Sequence, residues 1–215
     1  DFHDTIKHFD SKLLVLANTE TNTERRSKMT SNSPTQMLEG EHLIIAKVIG
    51  AAPVLADRLE AGQVVDVKTL HGVIEFMRTF VDKCHHGKEE DLLFPTLVNN
   101  GISKQGCPIG ALTVEHTRGR ALVKELVDAA DTYQSGDPDA KKAVVKSLRE
   151  IATLYPNHIW KEDYLLFPLT NKVLNLEEQQ ALYRQFEQVD ERVGRDVHHH
   201  LEQFAEGLSE STQVC

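Results

Sequence analysis

Two copies of one phrase place a histidine and a glutamate four residues apart. The first copy begins at His85 and the second at His158, and both end in Leu-Leu-Phe-Pro. Aligned on that ending, Glu89 of the first copy matches Glu162 of the second. On an α-helix this spacing puts both side chains on one face, one turn apart. Two such helices facing each other would point two imidazoles and two carboxylates into one space, which is a metal-binding arrangement with room for more than one ion.

A competing register in the first copy pairs His86 with Glu90, which are also four residues apart. The second copy has Ile159 where the first has His86, so only the other pair is repeated. The apolar stripe of the predicted helix also passes through His85 and Glu89. The repeat therefore favours His85 with Glu89 over His86 with Glu90.

The second copy has a rival carboxylate of its own. Asp163 follows Glu162 directly and lies five residues after His158. The internal repeat favours Glu162 as the residue that shares a face with His158.

Amphipathic helical patterns follow one another from Thr35 onward, and no strand pattern competes with them. The predicted helices cover roughly Thr35–Ala61, Asp66–Val98, Ile109–Gln134, Asp139–Phe167 and, as a charged helix packed outside, Leu176–Gly207. Pro53 is expected to kink or split the first of these helices. Four amphipathic helices with short connections predict an all-α, antiparallel up-down-up-down four-helix bundle. The predicted organisation is an N-terminal extension at 1–34, the bundle at 35–175, and a C-terminal helix and tail at 176–215.

One histidine lies on the apolar stripe of each bundle helix. These histidines are His42, His85, His116 and His158. A buried imidazole needs polar partners, so four of them in phase with two glutamates indicate a shared ion. Mixed imidazole and carboxylate ligands suit iron, manganese or zinc, whereas calcium takes oxygen ligands and structural zinc takes four ligands, often thiolates. With at least six converging side chains, two of them carboxylates able to bridge, a dinuclear non-haem iron site fits best.

Composition excludes several other classes of protein. The formal net charge is −9 and the basic residues do not cluster, which argues against nucleic acid or an anionic membrane as the main partner. The chain has only three cysteines and no Cys-x-x-Cys motif, which is typical of a reduced, cytoplasmic protein. No apolar run approaches the roughly 18–20 residues of a membrane span.

The chain resembles the hemerythrin-like, or HHE cation-binding, family. The resemblance is carried by the phrase from Cys84 to Pro95, by Glu115-His116 followed by Gly119-Arg120, and by the phrase from His158 to Pro168, and it covers roughly Thr35–Lys172. It implies a four-helix bundle that holds two iron ions joined by an oxo or hydroxo bridge. The ligand types alone leave zinc or manganese possible.

The resemblance also implies a role for each residue of the site. His85 and His158 would be terminal ligands, and Glu89 and Glu162 would be bridging carboxylates. His42 and His116 would each bind iron from their own helix. The oxygen carriers of the family have a second histidine one turn after the position of His116. This chain has Arg120 there, which has no lone pair to donate. We hypothesise that His86 restores the number of histidine ligands. The carriers also use an aspartate five residues after the last histidine, here Asp163, so the choice between Asp163 and Glu162 stays open.

Two classes of function remain. The first is a metal-binding protein that binds or senses a small diatomic or peroxide ligand, such as dioxygen or nitric oxide, or that handles reactive oxygen species, working through a partner or as a homodimer. The second is a di-iron enzyme: a catalase-like or peroxidase-like peroxide scavenger, a nitric oxide reductase or a ferroxidase. No general acid or base outside the ligand set is identifiable, which favours the first class.

Overall fold

The computed structural model describes residues 33–133 and 137–213, and within these ranges the regular structure is entirely helical. The N-terminal extension predicted at 1–34 lies outside the described residues except for its last two. The α-helices are α1 (Pro34–Glu60), α2 (Val67–Phe76), α3 (Phe94–Asn99), α4 (Ile109–Tyr133), α5 (Pro138–Lys161), α6 (Phe167–Val173), α7 (Leu176–Val193) and α8 (Arg195–Thr212). Three π-helical segments lie between them: π1 (Met77–His86), π2 (Glu89–Leu93) and π3 (Glu162–Leu166).

Local side-chain chemistry marks the beginning of four of these helices. Pro34 occupies the first turn of α1, where its missing N–H costs nothing. The carboxylate of Asp66 accepts a hydrogen bond from a backbone N–H at the start of α2, and that of Asp137 does the same for α5. Asn175 and Glu178 form a reciprocal capping box at the start of α7.

Helix α1 is not split at Pro53, contrary to one of the two expected outcomes. A proline inside a helix costs about 3 kcal/mol because it removes a hydrogen bond and crowds the preceding turn. Residues on both sides of it, among them Ala52 and Leu55, are buried against the rest of the bundle. Tertiary packing therefore holds the helix together across the proline.

Two long helices contain the π-helical segments, and these change which residues face inward. Helix α2 continues through π1 and π2 into α3, and α5 continues through π3 into α6. The i→i+5 hydrogen bonds of a π-helix widen the turn and shift the phase of the buried face. Leu93 and Leu166 are completely buried, whereas Leu92 before the first is only partly buried and Leu165 before the second is 39% exposed.

The prediction of one C-terminal helix is also wrong, because two helices meet at Gly194. The backbone of Gly194 has a φ of 101°, a conformation that residues with a Cβ rarely adopt, so it ends α7 and α8 starts directly after it. The apolar residues Leu201, Ala205 and Leu208 of α8 belong to the main core cluster.

The buried apolar side chains form two clusters along the bundle. The larger cluster contains most of the buried face of α1 and of α2, together with Leu122 and Leu126 of α4. The smaller cluster contains Leu38, Leu93 and Phe167. The sequence positions between the two clusters are the ones that carry the histidines and glutamates. None of the helices in the described ranges is long and apolar enough to cross a membrane.

Candidate metal centre

A buried polar layer separates the two apolar clusters. It contains all seven side chains that the sequence singled out: His42 of α1, His85 and His86 of π1, Glu89 of π2, His116 of α4, His158 of α5 and Glu162 of π3. The most exposed of them retains only 3% of its accessible surface. Residues from distant parts of the sequence are thus brought into one buried space.

Part of this layer is a group formed by His42, His85 and Glu162. The Nε2 atoms of the two histidines are 3.0 Å apart, and Nε2 of His42 lies 3.1 Å from Oε2 of Glu162. The potential ligand atoms of the three residues all lie within 4.8 Å of one another. This is the spacing of side chains that can share one ion.

A second group consists of His86, His116 and His158, whose ring nitrogens also lie within 4.8 Å of one another. The rings of His86 and His116 stack, with centroids 3.8 Å apart. The wide turn of π1 reduces the rotation between successive residues. His85 and His86 can therefore both face the layer, each in a different group.

The two carboxylates lie between the two groups of histidines. Oε2 of Glu162 faces His42, whereas Oε1 is 3.1 Å from Nε2 of His158. Oε2 of Glu89 is 3.4 Å from Nε2 of His116 and 3.9 Å from Nε2 of His85. Each glutamate is therefore in position to serve both groups.

Each histidine of the layer has a carboxylate beside its outward nitrogen, Nδ1. The Nδ1–oxygen distances are 2.7 Å for His42 with Asp163, 2.9 Å for His85 with Glu41, 3.6 Å for His86 with Asp82, 2.6 Å for His116 with Glu90 and 3.1 Å for His158 with Glu115. Except for the longer contact of His86, these are hydrogen bonds in which Nδ1–H donates. Such bonds leave the lone pair of Nε2 free to point inward, which is the usual arrangement around a metal-binding histidine.

Cationic side chains in turn hold most of these carboxylates. Lys88 contacts Glu41, and Lys161 contacts Glu115. Arg120 donates to Asp82 at 2.6 Å and to Glu90 at 2.9 Å. The arginine at the position of the missing histidine thus lies outside the layer, where it orients the partners of His86 and His116.

The two rival carboxylates of the sequence, Glu90 and Asp163, both have this outer position. Glu90 lies against Nδ1 of His116, and Asp163 lies against Nδ1 of His42. The carboxylates of Glu89 and Glu162, by contrast, are completely buried inside the layer.

The electrostatics of the layer distribute protons unevenly over its imidazoles. Burial lowers the pKa of His42, but the carboxylates of Asp163 and Glu162 outweigh it and raise the pKa to about 10. For His116, Glu162 and Glu89 likewise outweigh burial and raise the pKa to about 11. The pKa of His86 lies well below its usual value because burial and the neighbouring histidines outweigh Asp82.

The carboxylates of Glu162 and Glu41 are correspondingly held as anions. Burial raises the pKa of Glu162, but His158, His116 and His42 outweigh it and hold the pKa well below its usual value. Burial is likewise outweighed at Glu41, where His85 and Lys88 lower the pKa to about 2. Without a bound cation, protons on histidines are the charges that balance the carboxylates of the layer.

The layer contains polar atoms that have no hydrogen-bond partner. They are both ring nitrogens of His86, Nε2 of His116 and of His158, and both carboxylate oxygens of Glu89 and of Glu162. Each unsatisfied buried polar group costs about 1–3 kcal/mol. A cation bound among them would satisfy several at once, so this donor set of nitrogen and oxygen atoms fits metal ions.

Sequence reasoning did not identify the outer carboxylates and cations as partners of the layer histidines, although related residue pairs recur along the chain. A Glu-His pair occurs twice, at Glu41 and at Glu115, and an acidic residue follows each layer glutamate. A lysine also lies three residues after the first histidine of each repeat copy, at Lys88 after His85 and at Lys161 after His158. These pairings join different helices, so they become visible only when the bundle is assembled.

Comparison with known proteins agrees with this geometry. The chain is 23% identical, over 152 residues, to an uncharacterized protein of Mycobacterium bovis and to uncharacterized proteins of two Mycobacterium tuberculosis strains. The match covers 71% of this chain and 59% of each relative, so the chain spans about three-fifths of the length of the curated relatives it matches. The family description "Hemerythrin HHE cation binding domain" matches residues 33–170, which contain the whole polar layer. The chain therefore belongs to the hemerythrin HHE cation-binding domain family.

Proposed function

We propose that this chain is a di-iron protein that binds or senses a small ligand such as dioxygen or nitric oxide, or handles reactive oxygen species. The observation that carries the proposal is the set of buried, unpartnered nitrogen and oxygen atoms that face one another in the polar layer. One ion would be held by His42 and His85, and the other by His86, His116 and His158. Glu89 and Glu162 would be shared between the two ions.

The assignment of His86 to the second ion rests on its burial and its position. Both of its ring nitrogens are buried without a hydrogen-bond partner, and its ring lies against that of His116. A histidine with only a structural role would need partners for these nitrogens. The proposed arrangement gives two histidines to one ion and three to the other, an asymmetry that would leave the first ion more open to an added ligand.

Further side chains would exclude water from the layer. Phe167 stacks on His42 with ring centroids 5.5 Å apart, and Phe94 stacks on His116 at 5.8 Å. The buried ring of Tyr155 lies against His158 at 5.8 Å. An apolar surrounding of this kind controls solvent access to a metal site. When bound, the two iron ions would supply the redox chemistry and an open coordination position.

We also infer the antiparallel up-down-up-down order for the four helices that carry the site. Short connections favour antiparallel neighbours. In addition, each of these helices contributes residues to the polar layer and to both apolar clusters, as helices lying side by side would.

We favour ligand binding over turnover of a substrate. The unpartnered buried atoms of the layer all belong to the proposed ligand set, so no separate acid or base is left to move a proton on a substrate. The test is anaerobic loading with ferrous iron, followed by absorption spectra after addition of dioxygen, nitric oxide or peroxide. We expect a spectral change with dioxygen or nitric oxide that reverses when the gas is removed.

Two results would overturn the proposal in different ways. Continuous consumption of peroxide, with no reversible change on adding dioxygen or nitric oxide, would make the protein an enzyme. Failure to retain iron after removal of excess metal would contradict the di-iron assignment itself.

A further inference from the structure

Lys88 is a completely buried lysine beside the metal centre, with 0% of its side chain exposed. Its ammonium group contacts Glu41 of α1 on one side and lies 2.5 Å from Oδ1 of Asp190 of α7 on the other. A lysine is almost never completely buried unless it is paired. Two carboxylates from different helices thus compensate one buried charge.

These contacts continue into the polar layer. Oε2 of Glu41 accepts a hydrogen bond from Nδ1 of His85 at 2.9 Å, and Nε2 of the same ring faces His42. Asp190, Lys88, Glu41 and His85 therefore form an unbroken chain of contacts. It leads from the C-terminal helices to a proposed metal ligand.

In the other half of the site, a histidine, a glutamate and a lysine form the same series of contacts, but the series ends differently. His158 donates to Glu115, and Glu115 contacts Lys161, as in the first half. Lys161 is 28% exposed and Glu115 is 21% exposed. Over the described residues, Glu115 is the carboxylate partner of Lys161, so this branch ends in solvent. The site thus has a closed branch, in which Asp190 holds Lys88, and an open branch, in which Lys161 faces solvent.

The residues around Lys88 could be mistaken for a second metal site. The potential ligand atoms of Glu41, Cys84, Asp190 and His198 lie within 4.8 Å of one another. The ammonium group of Lys88 already lies between the two carboxylates and supplies the cation. The thiol of Cys84 donates to Oδ1 of Asp190 at 3.1 Å, so it too is engaged.

We propose that Asp190 is a positioning residue of the metal centre, which acts through Lys88 and Glu41 to hold the ring of His85. Asp190 lies on α7, beyond the residues 33–170 that match the family. The C-terminal helices then form a structural part of the metal site in this chain. This inference rests on the proposed function, since it assumes that His85 binds metal.

The expected size of the effect follows from similar second partners of metal-binding histidines. Losing such a partner typically reduces metal affinity by about 10–100-fold. Asp190→Asn removes one of two charges that hold Lys88. The ammonium group can then move, and Glu41 is no longer fixed against His85. We expect the ion held by His42 and His85 to leave about 10-fold faster.

The experiment measures release of iron from the full chain to a chelator, together with iron content and the spectrum of the loaded protein. Asp190→Asn should give two phases, of which one is about 10-fold faster than in the unaltered chain. Lys88→Met should have a similar effect. The two changes combined should be no worse than either alone, because both break the same chain of contacts.

Two matched controls separate this role from a general loosening of the fold. Lys161→Met removes the corresponding, partly exposed cation of the open branch, and we expect it to accelerate release less than Lys88→Met does. Glu206→Gln breaks the exposed pair of Glu206 with Lys47, which ties α8 to α1 away from the site. It should leave iron release unchanged. Asp190→Glu keeps the charge that holds Lys88, so its iron release should be closer to that of the unaltered chain than the release from Asp190→Asn is. If Asp190→Asn does not fold, Lys88→Met provides the comparison.

The inference is overturned if Asp190→Asn and Lys88→Met release iron like the unaltered chain, or if Glu206→Gln accelerates release as much as they do. If the unaltered chain binds no iron, the proposed function fails instead. The two failures are thereby distinguishable.

Discussion

His86 is the residue at which the two halves of the site differ. Its counterpart in the second half is Ile159, which cannot bind an ion. Its outer partner Asp82 is held by Arg120, which occupies the position of the missing histidine. Arg120 of α4, which cannot bind metal, thus orients the carboxylate beside His86, a proposed ligand.

Substituting His86 tests this interpretation. In a His86→Ala protein, we expect the ion shared with His116 and His158 to bind at least 10-fold more weakly, because it loses one of its proposed ligands. The iron content should fall from about two per chain toward one. Measured iron per protein and the absorption spectrum would report the change. His199→Ala, which alters a histidine of α8 that is 70% exposed, is the matched control. Full iron content with an unchanged spectrum would show that His86 is not a ligand.

The raised pKa values of two histidines predict how metal binding depends on pH. With pKa values of about 10 and 11, His42 and His116 carry protons at pH 7 when no cation is bound. Metal binding must displace about two protons per chain. Affinity should therefore rise with pH until those groups are deprotonated. Calorimetry in buffers of different ionisation enthalpy measures the released protons, and a value near zero would contradict the prediction.

The same protons also make the free energy of unfolding depend on pH. A histidine whose pKa is raised by folding stabilises the folded chain fully below its unfolded pKa of about 6.5. For His42 and His116 this contribution is lost as the pH rises through about 10 and 11. Without metal, the free energy of unfolding should decrease over that alkaline range.

The sequence alone was sufficient to identify the residues of the polar layer, but not the carboxylates that contact the outward nitrogens of its histidines. The repeated spacing of His85 with Glu89, and of His158 with Glu162, follows the helix period and can be read from one chain segment. The contact of His85 with Glu41, or of His42 with Asp163, depends on how separate helices are placed side by side. Spacing along the chain contains no direct record of such pairs.

At the scale of the helices, the sequence signals that mark where a helix begins are local. The π-helical segments and the break at Gly194 have no such local signal. Asp66 and Asp137 could be identified as N-caps because a cap acts on the next two or three residues. The π-helical segments were not predicted, and they contain the layer residues His85, His86, Glu89 and Glu162. Gly194 was similarly hidden, because a glycine within a charged helix pattern has no fixed meaning.

Two glycines on different helices should respond oppositely to substitution by alanine. A Cβ at Gly119 of α4 would lie 2.7 Å from the hydroxyl oxygen of Tyr155, so the Tyr155 side chain or one of the two packed helices must shift. We expect Gly119→Ala to destabilise the fold by about 1–3 kcal/mol. At Gly207 of α8 a Cβ would meet nothing within 4 Å, so Gly207→Ala should stabilise by up to about 1 kcal/mol.

Chemical denaturation of both variants measures these changes. Equal effects of Gly119→Ala and Gly207→Ala would mean that the contact with Tyr155 does not limit the space at Gly119.

At the scale of the whole molecule, the polar layer is a costly band between two apolar clusters. Its unpartnered atoms weaken the fold unless a cation satisfies them. Bound metal should therefore connect four helices and stabilise the chain. At a free-metal concentration about 1,000 times the dissociation constant, mass action adds about 4 kcal/mol.

Removing the metal should then lower the unfolding temperature by about 10 °C, since 1 kcal/mol corresponds to roughly 2–4 °C in a domain of this size. Calorimetry before and after chelation tests this expectation. Identical melting temperatures in protein that had demonstrably lost its metal would contradict the view that the layer is completed by a cation.

The most direct test of the central claim is the number of iron ions that the chain retains after anaerobic loading and removal of excess metal. The proposed site predicts two per chain, and close to none in a Glu162→Gln variant, because that carboxylate lies between both groups of histidines. One ion or fewer in the unaltered chain, or two ions retained by Glu162→Gln, would contradict a centre in which two metal ions share Glu162.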